Sequence, residues 1–223
     1  REPDRHADLP NWNFNVSHEG HFVALASEPV LLCGVDVAAP GQVRSKNRTL
    51  QEQFDTMSSY FTVSEWSAIR SHGPDETAME CCFRKHWSLK EAFTKARGDG
   101  IAFELHRCEF SLHNAAHAPP SPSLTTDATA IESASLKVEG VSKKHWRFDV
   151  QSLPDNHWIS VSRGPPTEAI DALGGFRRTF AREMLMPDEI EIQLARPEVR
   201  FEFKQIIDLL PRDRREAYLA AAS

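Results

Sequence analysis

The stretch Trp87-Ser-Leu-Lys90-Glu91-Ala-Phe-Thr-Lys95-Ala-Arg-Gly98-Asp-Gly100 decides how the rest of the chain is read. Across 76–97, Cys82, Leu89, Phe93 and Ala96, joined by Phe83 and His86, recur at steps of three and four, which predicts a helix with one buried face. Gly98 and Gly100 are stop signals, and Lys95 and Arg97 stand near the negative end of the helix dipole. Glu91 and Lys95 lie four apart, one turn beyond Trp87. A pair at that spacing is either a solvated ion pair worth about 0.3–0.5 kcal/mol or part of a site. In the second case Glu91 helps to hold a hard cation, and Lys90 or Lys95 meets the phosphates it binds.

Working outward, Trp12–Val16 alternates with period two, and His21–Ala26 and Val30–Val37 are short apolar runs, so 12–37 is expected to be a meander of strands. Polar residues follow from Ala39 to Arg48, with Pro40-Gly41 as punctuation. Leu50, Phe54, Met57 and Phe61 recur at helical spacing. Thr62-Val-Ser-Glu65 has the form of a capping box that starts a short helix carrying Trp66 and Ile69, ended by Gly73-Pro74. Beyond the central helix, strands are expected at Arg107–Leu112, Ser135–Val138, His145–Val150 and Trp158–Val161, with a Pro-, Ala- and Ser-rich surface loop over 113–134. After Pro165-Pro166, residues 167–185 and 198–221 read as charged, weakly amphipathic helix, either appended or partly disordered.

The chain has 223 residues and a formal net charge of −6, with 40% hydrophobic and 26% charged residues. That is a soluble globular composition, and its acidity argues against nucleic acid or an anionic membrane as the main partner. No apolar run is long enough to span a bilayer, and the polar start is unlike a signal peptide. The chain does not begin with Met, so upstream sequence is expected to be missing. Of four cysteines, adjacent Cys81 and Cys82 near His86 invite a metal reading, but no CxxC pair exists and buried thiols are the default. The compartment is expected to be reducing and cytoplasmic.

Two further segments bear on chemistry. Asp36 closes the apolar run Val30–Val37, where a carboxylate needs either solvent or a partner. With Glu91 it would satisfy a cation such as magnesium, which characteristically takes one or two protein carboxylates and completes its shell with phosphate and water. Ser17-His18 follows a strand and precedes a turn; it is an ordinary surface turn or a phosphate contact. His18-Glu-Gly-His21 lacks the spacing of a zinc helix.

Together these segments resemble a family. Asn15-Val-Ser-His18, then Gly34-Val-Asp36, then the complete pattern from Trp87 to Gly100, with Phe61-Thr-Val-Ser-Glu65-Trp66 before it, are similar to the Sfp-type 4′-phosphopantetheinyl transferases. The likeness is greatest to their eukaryotic branch, the aminoadipate-semialdehyde dehydrogenase-phosphopantetheinyl transferases. It covers roughly 12–163. The resemblance implies an α/β (α+β) fold of two similar halves, with 1–34 the end of the first half, 35–164 the complete second half and 165–223 a helical or partly disordered tail.

It also implies transfer of 4′-phosphopantetheine from coenzyme A to a serine of an apo acyl or peptidyl carrier protein, releasing 3′,5′-ADP. The carrier could serve fatty acid synthesis, a polyketide or peptide synthetase, or lysine biosynthesis. By likeness, Asp36 and Glu91 bind Mg2+, Lys95 and His18 contact phosphates, Ser17 lies near the nucleotide's 3′-phosphate, and Lys90 supports the anionic site. Glu91, directly or through a magnesium-bound water, is the nearest base, so Glu91 and Lys95 carry the catalytic roles. Many bacterial members carry a third carboxylate where this chain has Ala38. A full-length protein is expected to be monomeric, and this shorter chain to hold coenzyme A weakly. The alternative is a non-catalytic half-domain that binds carrier protein or coenzyme A.

Overall fold

The computed structural model describes residues 9–39, 49–113, 131–197 and 201–222. Pro40-Gly41 and most of the loop expected over 113–134 lie outside them. The long helix expected over 76–97 is α3, Glu76–Arg97, opened by Asp75, whose carboxylate accepts the Ala78 N–H, and closed by Gly98 at φ 70°. Two short helices precede it, α1 (Leu50–Thr56) and α2 (Val63–Arg70). Both begin with a capping box, Thr49 with Glu52 and Thr62 with Glu65.

A six-stranded antiparallel sheet supports α3. It comprises β3 (Leu32–Ala38), β4 (Cys108–His113), β5 (Ile131–Val138), β6 (Val141–Ser142), β7 (Arg147–Leu153) and β8 (His157–Gly164), in the order β3-β8-β7-β5-β4 with β6 on β5. Strand β5 begins inside the stretch expected to be loop, because Ile131–Ala134 pair with Phe148–Gln151. Leu89, Phe93 and Ala96 of α3 pack against Leu32, Phe110, Leu136 and Phe148 of the sheet in the main core. Each fully buried large side chain there contributes about 1.5–3 kcal/mol. Burial pushes the Cys108 thiol up to about 12.

Strands β1 (Asn13–Glu19) and β2 (Phe22–Glu28) form a separate hairpin, so the expected three-strand meander is corrected. Strand β3 pairs with β8 and meets β1 through side chains. The amides of Cys33, Val35, Val37 and Ala39 donate to Asn13 Oδ1, Asn15 Oδ1, Ser17 Oγ and Glu19 Oε2, at 3.0–3.1 Å. Every one of these contacts spans twenty positions, so β1 runs parallel to β3. The alternate residues of the hairpin, Trp12, Phe14, Val16, Val23 and Leu25, form an exposed apolar face.

The tail also departs from expectation. Residues 167–185 form an irregular strap with 3₁₀ turns at Pro166–Glu168 and Arg177–Thr179 rather than a helix. Gly174 at φ 66° and Asp171 at φ 47° break the helical path. Helix α4 (Pro187–Leu194) follows, with Pro187 at its first turn, and α5 (Ile206–Leu209) and α6 (Arg212–Ala222) come later. The strap is packed against the domain: Ala169 joins the main core, and Leu185 together with Ile190 of α4 covers Leu31.

Candidate active site

Three elements converge where β3, β1 and α3 meet. Along β3, Leu32 packs in the α3 core and Gly34 lies under the helix; a Cβ at Gly34 would stand 2.0 Å from the Ala92 carbonyl oxygen. Glycine therefore lets the helix settle onto the strand, and the period of two then turns Asp36 towards α3 as well. Val35 and Val37 face the opposite side, in a core with Ala24 and Ile159.

Lys95 Nζ lies 2.6 Å from Asp36 Oδ1, 3.2 Å from Ser17 Oγ and 3.5 Å from the Val35 carbonyl oxygen. Ser17 donates to Asp36 Oδ1 at 3.1 Å while accepting the Val37 amide. Its hydroxyl thus spends its one proton and its acceptor capacity inside the protein, and the side chain is buried. Ser17 orients Asp36, which differs from the expected contact to a 3′-phosphate. Glu91, one turn before Lys95, is half-buried, and its carboxylate has no hydrogen-bond partner among the described residues. Burial raises Asp36 to about 6 against the pull of Lys95, and Glu91 raises it further. Burial likewise pushes Glu91 up, opposed by Lys95.

Glu91 and Lys95 line a groove of about 920 Å³. Trp87, Tyr60 and Met57 make one apolar wall, and Phe103 and Ile101 stand beyond Gly98. The strap contributes Asp171, Leu173 and Phe176. It is held there because the amides of Ile170, Asp171 and Ala172 donate to the carbonyls of Arg97 and Gly98, the loose end of α3. The Asp171 carboxylate in turn accepts the amides of Gly175, Phe176 and Arg177.

Two expected residues lie elsewhere. Lys90 does not support an anionic site: it is fully buried, 2.9 Å from Glu65 Oε2, and donates to the carbonyls of Leu105 and Cys108. Burial lowers its pKa, and Glu65 opposes the shift. The reason is geometric, since Lys90 continues the buried row Phe83–His86–Phe93 of α3. His18 is exposed on the hairpin face opposite to Ser17, among Phe14 and Val16. Glu65 and Asn15 were missed as site-building residues. Glu65 caps α2 and also takes the Phe110 amide and Lys90.

The model of the 4′-phosphopantetheinyl transferase superfamily matches residues 32–162. The chain belongs to the 4′-phosphopantetheinyl transferase superfamily. It is 34% identical over 160 residues to the L-aminoadipate-semialdehyde dehydrogenase-phosphopantetheinyl transferase of Rattus norvegicus, covering 70% of this chain and 47% of that one. It is similar to the phosphopantetheinyl transferase of a Thraustochytrium species, 34% identical over 159 residues, covering 70% of this chain and 49% of the relative. The 4′-phosphopantetheinyl transferase Sfp of Bacillus subtilis is 30% identical over 108 residues, covering 48% of this chain and 42% of its own length. The chain spans about half the length of the curated relatives it matches. The superfamily match stops at 162, so the strap that walls the groove lies beyond it. Among the described residues, no helix is long and apolar enough to cross a membrane.

Proposed function

We propose that this chain carries the catalytic half of a transferase that moves 4′-phosphopantetheine from coenzyme A to a serine hydroxyl of an apo carrier protein, releasing 3′,5′-ADP. The observation that supports it is the convergence of Asp36, Glu91 and Lys95 beside one groove. The donor set suits magnesium: a buried carboxylate stands near a half-buried one that has no hydrogen bond of its own among the described residues, and hard oxygen donors are what that ion takes. Asp36 and Glu91 would hold it. When bound, the ion supplies charge neutralisation for a pyrophosphate.

The chain's own groups account for the remaining chemistry. Glu91 faces the groove with no hydrogen-bond partner among the described residues, and it takes the proton of the acceptor serine. The serine oxygen then attacks the β-phosphorus of coenzyme A, and the bond to the 3′,5′-ADP oxygen breaks. Lys95 offsets negative charge on that leaving group. Ser17 holds Asp36 in place throughout. The apolar wall at Trp87 and Met57 suits an uncharged chain better than a nucleotide.

The test combines the protein, coenzyme A, magnesium and an apo carrier protein, and follows the phosphopantetheine mass gain on the carrier. Glu91→Gln is expected to abolish the gain with the thermal midpoint unchanged; near-normal turnover refutes the role of Glu91. The second reading, a binding module for carrier or coenzyme A, is favoured by the exposed hairpin face of Trp12, Phe14 and Val16. It predicts binding without any mass gain. A cytoplasmic setting accords with four free cysteines, three of them buried.

A further inference from the structure

Among the described residues, Lys95 is the cation that bears on both carboxylates of the site. Its ammonium bonds the Asp36 oxygen at 2.6 Å, closer than either of its other contacts, Ser17 Oγ and the Val35 carbonyl. Two carboxylates against one ammonium leave the cluster with one net negative charge when all three are ionised. The Lys95 side chain is 30% exposed while that of Asp36 is 10% exposed, so the lysine can leave and the aspartate stays. A four-carbon stem with rotatable bonds gives it the reach to turn into the groove it already lines.

We propose that Lys95 is the site's own counter-ion, competing with a divalent cation for Asp36, so that cation entry releases the ammonium to face an anionic ligand. This rests on the reading of Asp36 and Glu91 as cation ligands. Both functions then belong to one side chain at different moments. On the protein alone, a cation must break a short charge-assisted bond and pass a like charge. With a phosphate ligand present, the displaced ammonium gains a new partner, so cation and ligand bind with positive coupling. Such couplings are typically about 5- to 150-fold. Ser17 stays on Asp36 in either state, because its hydroxyl is also fixed by the Val37 amide.

The test is Mn2+ binding to the full chain with no other ligand, read from the free-ion signal in electron paramagnetic resonance. Lys95→Met, which keeps the stem and removes the charge, is expected to tighten Mn2+ binding about 10-fold. Lys95→Arg, which keeps the charge and adds a fork suited to a carboxylate, is expected to bind Mn2+ no better than the parent. Unchanged or weaker binding by Lys95→Met overturns the proposal, as does tightening by both variants alike. Asp36→Asn separates this from the metal reading itself. If Mn2+ binds Asp36→Asn as well as it binds the parent, the cation is not held at Asp36 and both ideas fall.

Discussion

Lys90 and Lys95 sit on one helix, five residues apart, and do opposite work. Lys90 is wholly enclosed: Glu65 and two carbonyls consume its three protons, and it ties α2 and the start of β4 to α3. Lys95 is part-exposed and holds Asp36 and Ser17 from the rim of a groove. Same residue type and same helix, yet five positions amount to more than one turn and face a different neighbour. A charge becomes structural when its partners surround it. It becomes available for chemistry when one side of it remains open.

That contrast can be broken in order of effect. Lys90→Met leaves Glu65 buried without its cation, and is expected to destabilise the fold by about 3–5 kcal/mol in urea denaturation; a loss near zero removes the distinction between the two lysines. Next comes Asp36. Its folded pKa of about 6 exceeds the 3.8 of an ordinary aspartate, so the folded state holds a proton that the unfolded chain has lost. Stability from this group is therefore full below about pH 4, declines as pH rises to about 6, and stays reduced above. Asp36→Asn should then stabilise the protein by up to about 3 kcal/mol at pH 7.5 and by little at pH 4. Equal effects of that variant at the two pH values would contradict the burial argument. Smallest is Lys95→Met, expected to change stability by less than about 1 kcal/mol, because a part-exposed ion pair gains little over water. A loss as large as that of Lys90→Met would make the two lysines alike.

The same two residues show what could be read from sequence. The placing of Glu91 and Lys95 on one helix face and of Asp36 at the end of a strand was legible because helix and strand periods place side chains with little ambiguity; the seating of the helix on Gly34 was not. Lys90 is buried because of its position on the helix, whatever its charge suggests. Phe83, His86, Lys90 and Phe93 follow one another at helical steps, and Glu65 in the capping box was the available partner. The apolar runs suggest a meander for β3 because they carry no record of side-chain-to-backbone contacts. The strap was unreadable for a related reason. It is anchored by backbone amides of Ile170, Asp171 and Ala172, and backbone bonds leave no residue pattern.

The junction of β1 and β3 imposes a parity rule on this chain. Asn13, Asn15 and Ser17 each meet a β3 amide and Glu19 meets that of Ala39 just beyond it, whereas Phe14 and Val16 have nothing to offer one. A single-residue insertion in β1 would present apolar side chains to donors and unlatch the hairpin beyond that point. A two-residue insertion before Ser17 would keep polar side chains in phase with the amides, yet it would replace Ser17 opposite Asp36 with another rung. Ahead of Ser17 the strand can drift in length only in even steps, and the site admits none of them.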